Sequence, residues 1–313
     1  MAVRSVARPS RRDSSGSPAH GTPRRRRDWT GLLFVLPFLA FFVAFLVWPL
    51  LAGLGTATTS AGLSNPGEFV GLDNFVDALR DPDVWTSLGN TLWFTLLSTP
   101  LLVLVGLVLA LLVHQLTPGR WFWRLSFFAP FLLPSSVVAL IFVWIFQPDF
   151  GMADGMLAAI GLNPNIGWLS DPSMAMFSIV LTTTWWTVGF NFLLYLAALQ
   201  SIPQEFYEAA AIDGADGWRR LWSITLPLLG RTTGLVVVLQ LLASLKVFDQ
   251  IYLMTSGGPG DATIPVIQYV YEIGFTNFRI GYASAISYLF FALVLVIALV
   301  QLRLFGNRKE SGR

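Results

Sequence analysis

Six stretches of the chain are nearly unbroken runs of apolar side chains, and the polar positions collect between them. The runs cover about Leu32–Leu54, Asn90–Val113, Leu125–Phe146, Met174–Gln200, Leu228–Met254 and Tyr282–Leu302. Each is close to the ~20 residues that carry a helix across a bilayer. Five contain no Asp, Glu, Lys or Arg, whereas the fifth in order carries Arg231 near its start and Lys246 and Asp249 near its end. The pattern predicts an all-α integral membrane protein with six transmembrane helices.

Composition supports that class. Of 313 residues, 54% are hydrophobic and only 12% charged, and mean hydropathy is +0.63; a soluble domain carries about 25% charged residues. Cysteine is absent, which excludes disulfides and thiolate metal sites, and histidine occurs only at His20 and His114. No metal site is expected. Six spans put both termini on one side. Of the twenty Lys and Arg residues, all but Arg80, Arg279 and Lys246 fall on that side, so the positive-inside rule predicts that both termini are cytoplasmic. Residues 1–28, rich in Arg, Ser, Pro and Gly, read as a disordered basic cytoplasmic tail. Residues 29–305 read as the six-helix domain and 306–313 as a cytoplasmic C-terminal tail. The RRRRDW run precedes a stretch too long for a signal-peptide core, so the first span reads as uncleaved with a basic anchor.

The expected outer loops look ordered rather than low-complexity. In DNFVDALRD, Asp73 is a candidate N-cap for a short helix. Gln147–Pro172 has room for one short helix. Thr255–Gly281 opens with the turn-rich TSGGPGDAT and continues into a helix-like apolar segment.

The expected cytoplasmic connection between the fourth and fifth spans, residues 201–227, is the most polar part of the hydrophobic region. In SIPQEFYEAAAIDG, Ser201 reads as an N-cap, with Pro203 and Glu205 in the first turn of a helix. Gly214 offers a positive φ where that helix must stop. Asp216 can cap a second short helix, GWRRLW, and Pro227 suits the first turn of the fifth span. The result is a helix–turn–helix hairpin whose Ala209, Ala210 and Ala211 leave a slim waist beside Glu208. An interfacial amphipathic helix would show Lys and Arg opposite bulky apolar residues; a knob that enters a partner's cleft fits this sequence better.

The segment EAAAIDGADGWRRLWSITLPLL resembles the EAA loop of the membrane subunits of binding-protein-dependent ABC importers. Flanking stretches such as FVGLDNFVDALRDP, LAALQSIPQEFYEAA, LKVFDQIYLMTSGGPGDAT and FRIGYASAISYLFF are similar to the sugar-importer permeases, of the maltose and glycerol-3-phosphate type. The resemblance spans about Leu32–Leu304. It implies a permease subunit of an ATP-driven importer of a sugar or sugar derivative, forming half of a translocation path in a bacterial plasma membrane. It further implies a coupling helix seated in a cytoplasmic ATPase. Glu208, Ala209, Ala210, Asp213 and Gly214 would dock, and Ile224, Leu226 and Pro227 would join the hairpin to the fifth span. The implied partners are two ATPase subunits, a second permease chain and an extracytoplasmic substrate-binding protein, with no nucleic acid. The chain lacks a G-x-x-x-x-G-K-[ST] sequence, so ATP and Mg would reside on the ATPase partners and this subunit would be non-catalytic.

Polar residues at membrane depth are the candidates for the substrate path: Asn191 in the fourth span, with Trp185 and Tyr195 beside it, and Lys246, Phe248, Asp249 and Tyr252 at the end of the fifth. Lys246 and Asp249, three residues apart, are expected to pair on one helix face near the outer interface. An ion-coupled secondary transporter is the alternative reading, but it would want carboxylates or a histidine in mid-bilayer.

Overall fold

The computed structural model describes residues 29–115, 119–162 and 166–306. The expected tail 1–28 and residues 307–313 lie outside them. Apart from one isolated bridge, Thr59 to Phe69, the regular structure described is helical. The chain divides into two units, 1–51 and 52–313. In the first, α1 (Trp29–Phe42) passes through a π-helical turn at Val43–Val47 into α2 (Trp48–Ala57), whose last residues belong to the second unit.

In the second unit, α3 (Asp73–Arg80) leads into the 34-residue α4 (Pro82–Gln115). Then follow α5 (Arg120–Phe128), α6 (Ser135–Ile145), α7 (Met152–Ala159) and α8 (Pro172–Gln200). Two short helices, α9 (Gln204–Ile212) and α10 (Gly217–Arg220), form the hairpin, and a π-helical turn at Leu221–Thr225 carries the chain into α11 (Leu226–Leu245). The chain closes with α12 (Asp249–Thr255), α13 (Val266–Tyr271) and α14 (Ile280–Gly306).

Among the described residues, five helical stretches are long and apolar enough to cross a membrane: Leu33–Ala57, Pro82–Gln115, Pro172–Gln200, Gly217–Leu245 and Ile280–Leu304. The expected third span, Leu125–Phe146, is instead a pair of helices bent by 97°, and makes a sixth crossing only if that broken pair counts as one. Pro130 and Pro134 explain the break, because neither has an N–H to donate and each disfavours helical geometry in the residue before it.

The second and fourth spans begin earlier than hydropathy placed them, both at an Asp-Pro pair. The Asp81 carboxylate accepts from the Asp83 N–H at 2.9 Å, and Asp171 accepts from the Ser173 N–H at 2.8 Å. The proline follows as the first helical residue, where its missing donor costs nothing. Asp73 is not an N-cap: it lies inside the first turn of α3, behind Leu72. Ser201 does not cap α9 either, since its hydroxyl donates back to the Ala198 carbonyl at 2.7 Å and Pro203 stands at the cap position.

The expected fifth span, Leu228–Met254, breaks after Leu245. Phe248 adopts φ −152°, ψ −65°, so Lys246 and Asp249 fall on either side of a kink rather than on one helix face. The expected ion pair between them is absent among the described residues; Asp249 accepts from the Ser135 hydroxyl at 3.3 Å.

Three buried clusters hold the second unit together. Phe94, Phe142, Ile179 and Ile251 gather α4, α6, α8 and α12. Val103, Val113, Phe192, Leu199 and Leu229 gather α4, α8 and the start of α11. Ala78, Val266, Tyr282 and Ile286 join α3 and α13 to α14. The α4–α8 pair is the spine common to the first two. It packs closely at Gly106, where a Cβ would sit 2.9 Å from the Cβ of Asn191. That close approach brings small and polar residues of the two helices into register, as is usual in lipid.

Candidate functional site

The hairpin grows from local backbone chemistry. Gln204–Ile212 is helical because Pro203 sets the entry and the run that follows is rich in alanine. Gly214, at φ +74°, then takes the left-handed conformation that ends the helix. Asp216 accepts from the Arg219 N–H at 2.7 Å and starts α10. Glu208, Ala209, Asp213 and Gly214 are exposed and Ala210 is half-buried, so the sequence-predicted docking residues share one accessible element. Exposed apolar residues accompany them: Ile212 is 87% exposed, and Phe206 and Trp218 are largely so. Ile224 and Leu226 are half-buried at the junction with α11, and Pro227 opens that helix. From Gly217 to Leu245 the helical path is continuous.

At the far end of that path lies a cavity of about 290 Å³, close to the lower limit of typical ligand pockets, ~300 Å³. Its apolar walls include Phe94, Phe131 and Phe190, and its polar ones Thr183, Asn191, Gln240, Ser244 and Gln250. A chain of hydrogen bonds runs along the polar side. Asn191 Nδ2 donates to Gln240 Oε1 at 3.0 Å, Gln240 Nε2 donates to Ser244 Oγ at 3.1 Å, and the Ser98 hydroxyl donates to Ser244 at 3.0 Å. Asn191 is 1% exposed, and its Oδ1 has no partner among the described residues. A buried amide oxygen without a donor is an incomplete hydrogen-bond set, and here it belongs to a residue that also lines the cavity.

Of the substrate-path candidates, the structure places only Asn191 on this cavity. Tyr195 is fully buried in the apolar cluster with Phe192 and Leu199, and Trp185 packs on Phe142 with ring centres 5.3 Å apart. Lys246 is exposed at the C-terminal cap of α11, and Asp249 is exposed beyond the kink. Phe248 and Tyr252 stack on each other at 5.3 Å and both meet Tyr271, forming an aromatic group outside the cavity. Gln240, Ser244 and Gln250 were not singled out from the sequence. A signal was present: Gln240 and Ser244 are four residues apart in an apolar run and so share a helix face.

Comparison with known proteins matches residues 102–309 to the family described as binding-protein-dependent transport system inner membrane component. The chain is 35% identical to the sulfoquinovosyl glycerol transport system permease protein SmoG of Agrobacterium fabrum, over 88% of this chain and 90% of that one. It is 35% identical to the trehalose/maltose transport system permease protein MalF of Thermococcus litoralis, over 90% and 95%. A crystal structure of a bacterial ABC transporter involved in the import of the acidic polysaccharide alginate superposes with a TM-score of 0.78 at 26% identity, covering 91% of this chain and 97% of that one. The chain therefore belongs to the inner membrane component family of binding-protein-dependent transport systems: it is a multi-pass bacterial membrane protein, a non-catalytic permease subunit of an ABC-type importer that couples ATPase action to transport.

Proposed function

We propose that this subunit carries a sugar or sugar derivative, and that the hairpin of α9 and α10 is the element through which a cytoplasmic ATPase drives it. The observation that carries the reading is the exposed hairpin, with Glu208, Gly214 and Ile212 at its surface, joined without a helical break to α11, which walls the cavity. The exposed Phe206, Ile212 and Trp218, gathered on one short charged hairpin, fit burial in a partner's groove better than permanent contact with water. Arg219, Arg220 and Arg231 in and beside the hairpin, against Arg80 and Arg279 in the loops expected outside, support a cytoplasmic location for the hairpin. ATP-dependent closure of two ATPase subunits would displace the hairpins and, through α11, the cavity walls.

The cavity suits a sugar. Phenylalanine faces can cover the C–H face of a ring while amides and hydroxyls meet its hydroxyl groups. Thr187 and Gln250, both partly exposed on the cavity wall, would meet them. As one permease supplies one wall of the path, a second permease chain completes it, and a substrate-binding protein delivers from outside. Relatives named for trehalose and maltose and for sn-glycerol-3-phosphate support the sugar-importer subclass. Family membership displaces the ion-coupled alternative.

A pull-down of the tagged chain in mild detergent tests the docking. Wild type is expected to bring down a soluble ATPase and a second permease, whereas a Glu208→Lys, Gly214→Pro variant of unchanged size-exclusion profile loses the ATPase and keeps the permease. Retention of the ATPase by that variant would falsify the assignment of the hairpin.

A further inference from the structure

We infer that Tyr207 is a positioning residue for coupling: its hydroxyl braces the π-helical turn through which the hairpin joins α11. The inference rests on the proposal that the hairpin is the ATPase-docking element, and asks what makes it move with α11 rather than flex against it.

The turn at Leu221–Thr225 is wider than an α-helix, with the Leu226 N–H bonded to the Leu221 carbonyl. Pro227 explains it. In a regular helix the proline ring would press on the carbonyl four residues back, at Ser223, and no N–H would be there to meet it; one widened turn relieves that conflict. Such interruptions are also where helical rods bend. A soft turn at this position would absorb a push on the hairpin before α11 felt it.

Thr225 stiffens it. The side chain is 6% exposed, and its Oγ lies 3.4 Å from the Arg220 carbonyl and 3.1 Å from the Tyr207 hydroxyl. With Tyr207 donating to Thr225 and Thr225 donating to the Arg220 carbonyl, each hydroxyl hydrogen is used and one relay ties α9, the end of α10 and the turn. Tyr207 immediately precedes Glu208 and is half-buried where Glu208 is exposed, so one docks while the other braces. Behind them a cleft of about 650 Å³, walled by Tyr207, Thr225, Trp218, Arg220 and His114, separates the hairpin from the ends of α4 and α8. Among the described residues, the Tyr207–Thr225 bond is the side-chain hydrogen bond that links α9 to the turn beside this cleft.

The chain has no cysteine, so paired spin labels at Glu205→Cys and Leu235→Cys report the distance from hairpin to α11 without background. The complex carrying its ATPase and second permease is measured with and without a non-hydrolysable ATP analogue and Mg²⁺. The wild-type distribution is expected to be dominated by one distance, with a small second population, and to be unchanged by nucleotide. In Tyr207→Phe, which keeps the ring, a second distance grows by roughly two- to tenfold in population, the weight of one hydrogen bond. Thr225→Val matches it, Thr225→Ser does not, and the double variant is no worse than either single. Equal distributions in wild type and Tyr207→Phe, or a dominant wild-type distance that changes with nucleotide, would overturn the brace while leaving docking intact. Absence of the ATPase from the wild-type complex would remove the docking proposal and this inference with it.

Discussion

Asn191 shows how one residue can serve packing and chemistry together. Its Cβ is the surface on which Gly106 of α4 closes, its Nδ2 is committed to Gln240, and its Oδ1 is buried without a partner among the described residues. Asn191→Leu removes the donor and leaves the Gln240 oxygen unpaired. Interhelical hydrogen bonds at membrane depth average ~0.6 kcal/mol and reach ~1.7 kcal/mol, so a loss within that range is expected by thermal unfolding of the purified subunit. Adding Gln240→Leu is expected to recover part of it, because the unpaired Gln240 oxygen is removed while Ser244 keeps its bond from Ser98. Additive losses in the double variant would show that the two side chains do not act as a pair. The sequence singled out Asn191 because a lone amide in an apolar run stands out. It could not show that Tyr195, a turn away, points into packed side chains, since both residues fit the same apolar period and only the positions of α4 and α11 separate them.

At the scale of helices, the legible features were those written in local backbone chemistry. Gly214, Asp216 and Pro227 mark the hairpin wherever the rest of the chain goes, and the two Asp-Pro starts could have been read in the same way. Pro130 and Pro134 also stand in plain sight, yet proline is tolerated in membrane helices, so hydropathy alone drew a straight span over a 97° bend. The kink after Leu245 has no Gly or Pro to announce it; it forms where α12 finds its partners on α6 and α8. Close helix approach is testable. A Cβ at Gly189 would lie 2.3 Å from the Phe127 carbonyl oxygen and 2.8 Å from the Phe128 Cα, backbone atoms that cannot rotate aside. Gly189→Ala is expected to cost about 1–3 kcal/mol by overpacking the α5–α8 contact. Gly89→Ala, with nothing within 4 Å of its Cβ, is expected to be neutral or slightly stabilising. Equal melting temperatures for the two variants would contradict the close approach.

For the molecule as a whole, the end opposite the hairpin is tied together by Asp81. Its Oδ2 accepts from the hydroxyls of Tyr269 at 2.9 Å and Tyr282 at 2.6 Å, while its Oδ1 caps α4. Residues distant in sequence are thereby held at one point. Partial burial pushes the Asp81 carboxyl up, but bonds from the Tyr282 hydroxyl, the Asp83 amide, the Tyr269 hydroxyl and the Val84 amide outweigh it and hold it below the ordinary range. A depressed carboxyl binds fewer protons folded than unfolded. Its contribution is therefore complete above the unfolded value, ~3.9, and is lost as pH falls through the lower folded value. Melting temperature should fall on acidification below about pH 4, with a shallower slope in Asp81→Asn, as tryptophan fluorescence would record. Identical slopes would assign the acid sensitivity to other carboxylates.

The continuous helical path from Gly217 to Leu245 sets a constraint of phase as well as of composition. Each residue turns a helix by about 100° and advances it ~1.5 Å. One residue inserted or deleted between Leu226 and Leu239 would leave every side chain chemically unchanged, yet swing Gln240 and Ser244 about a quarter-turn from Asn191 and Ser98 relative to the hairpin. Point substitutions along the lipid-facing side of this rod can be absorbed, whereas a change in its length cannot. Variation among relatives in this segment should therefore take the form of substitutions, with insertions and deletions confined to the connections beyond its ends.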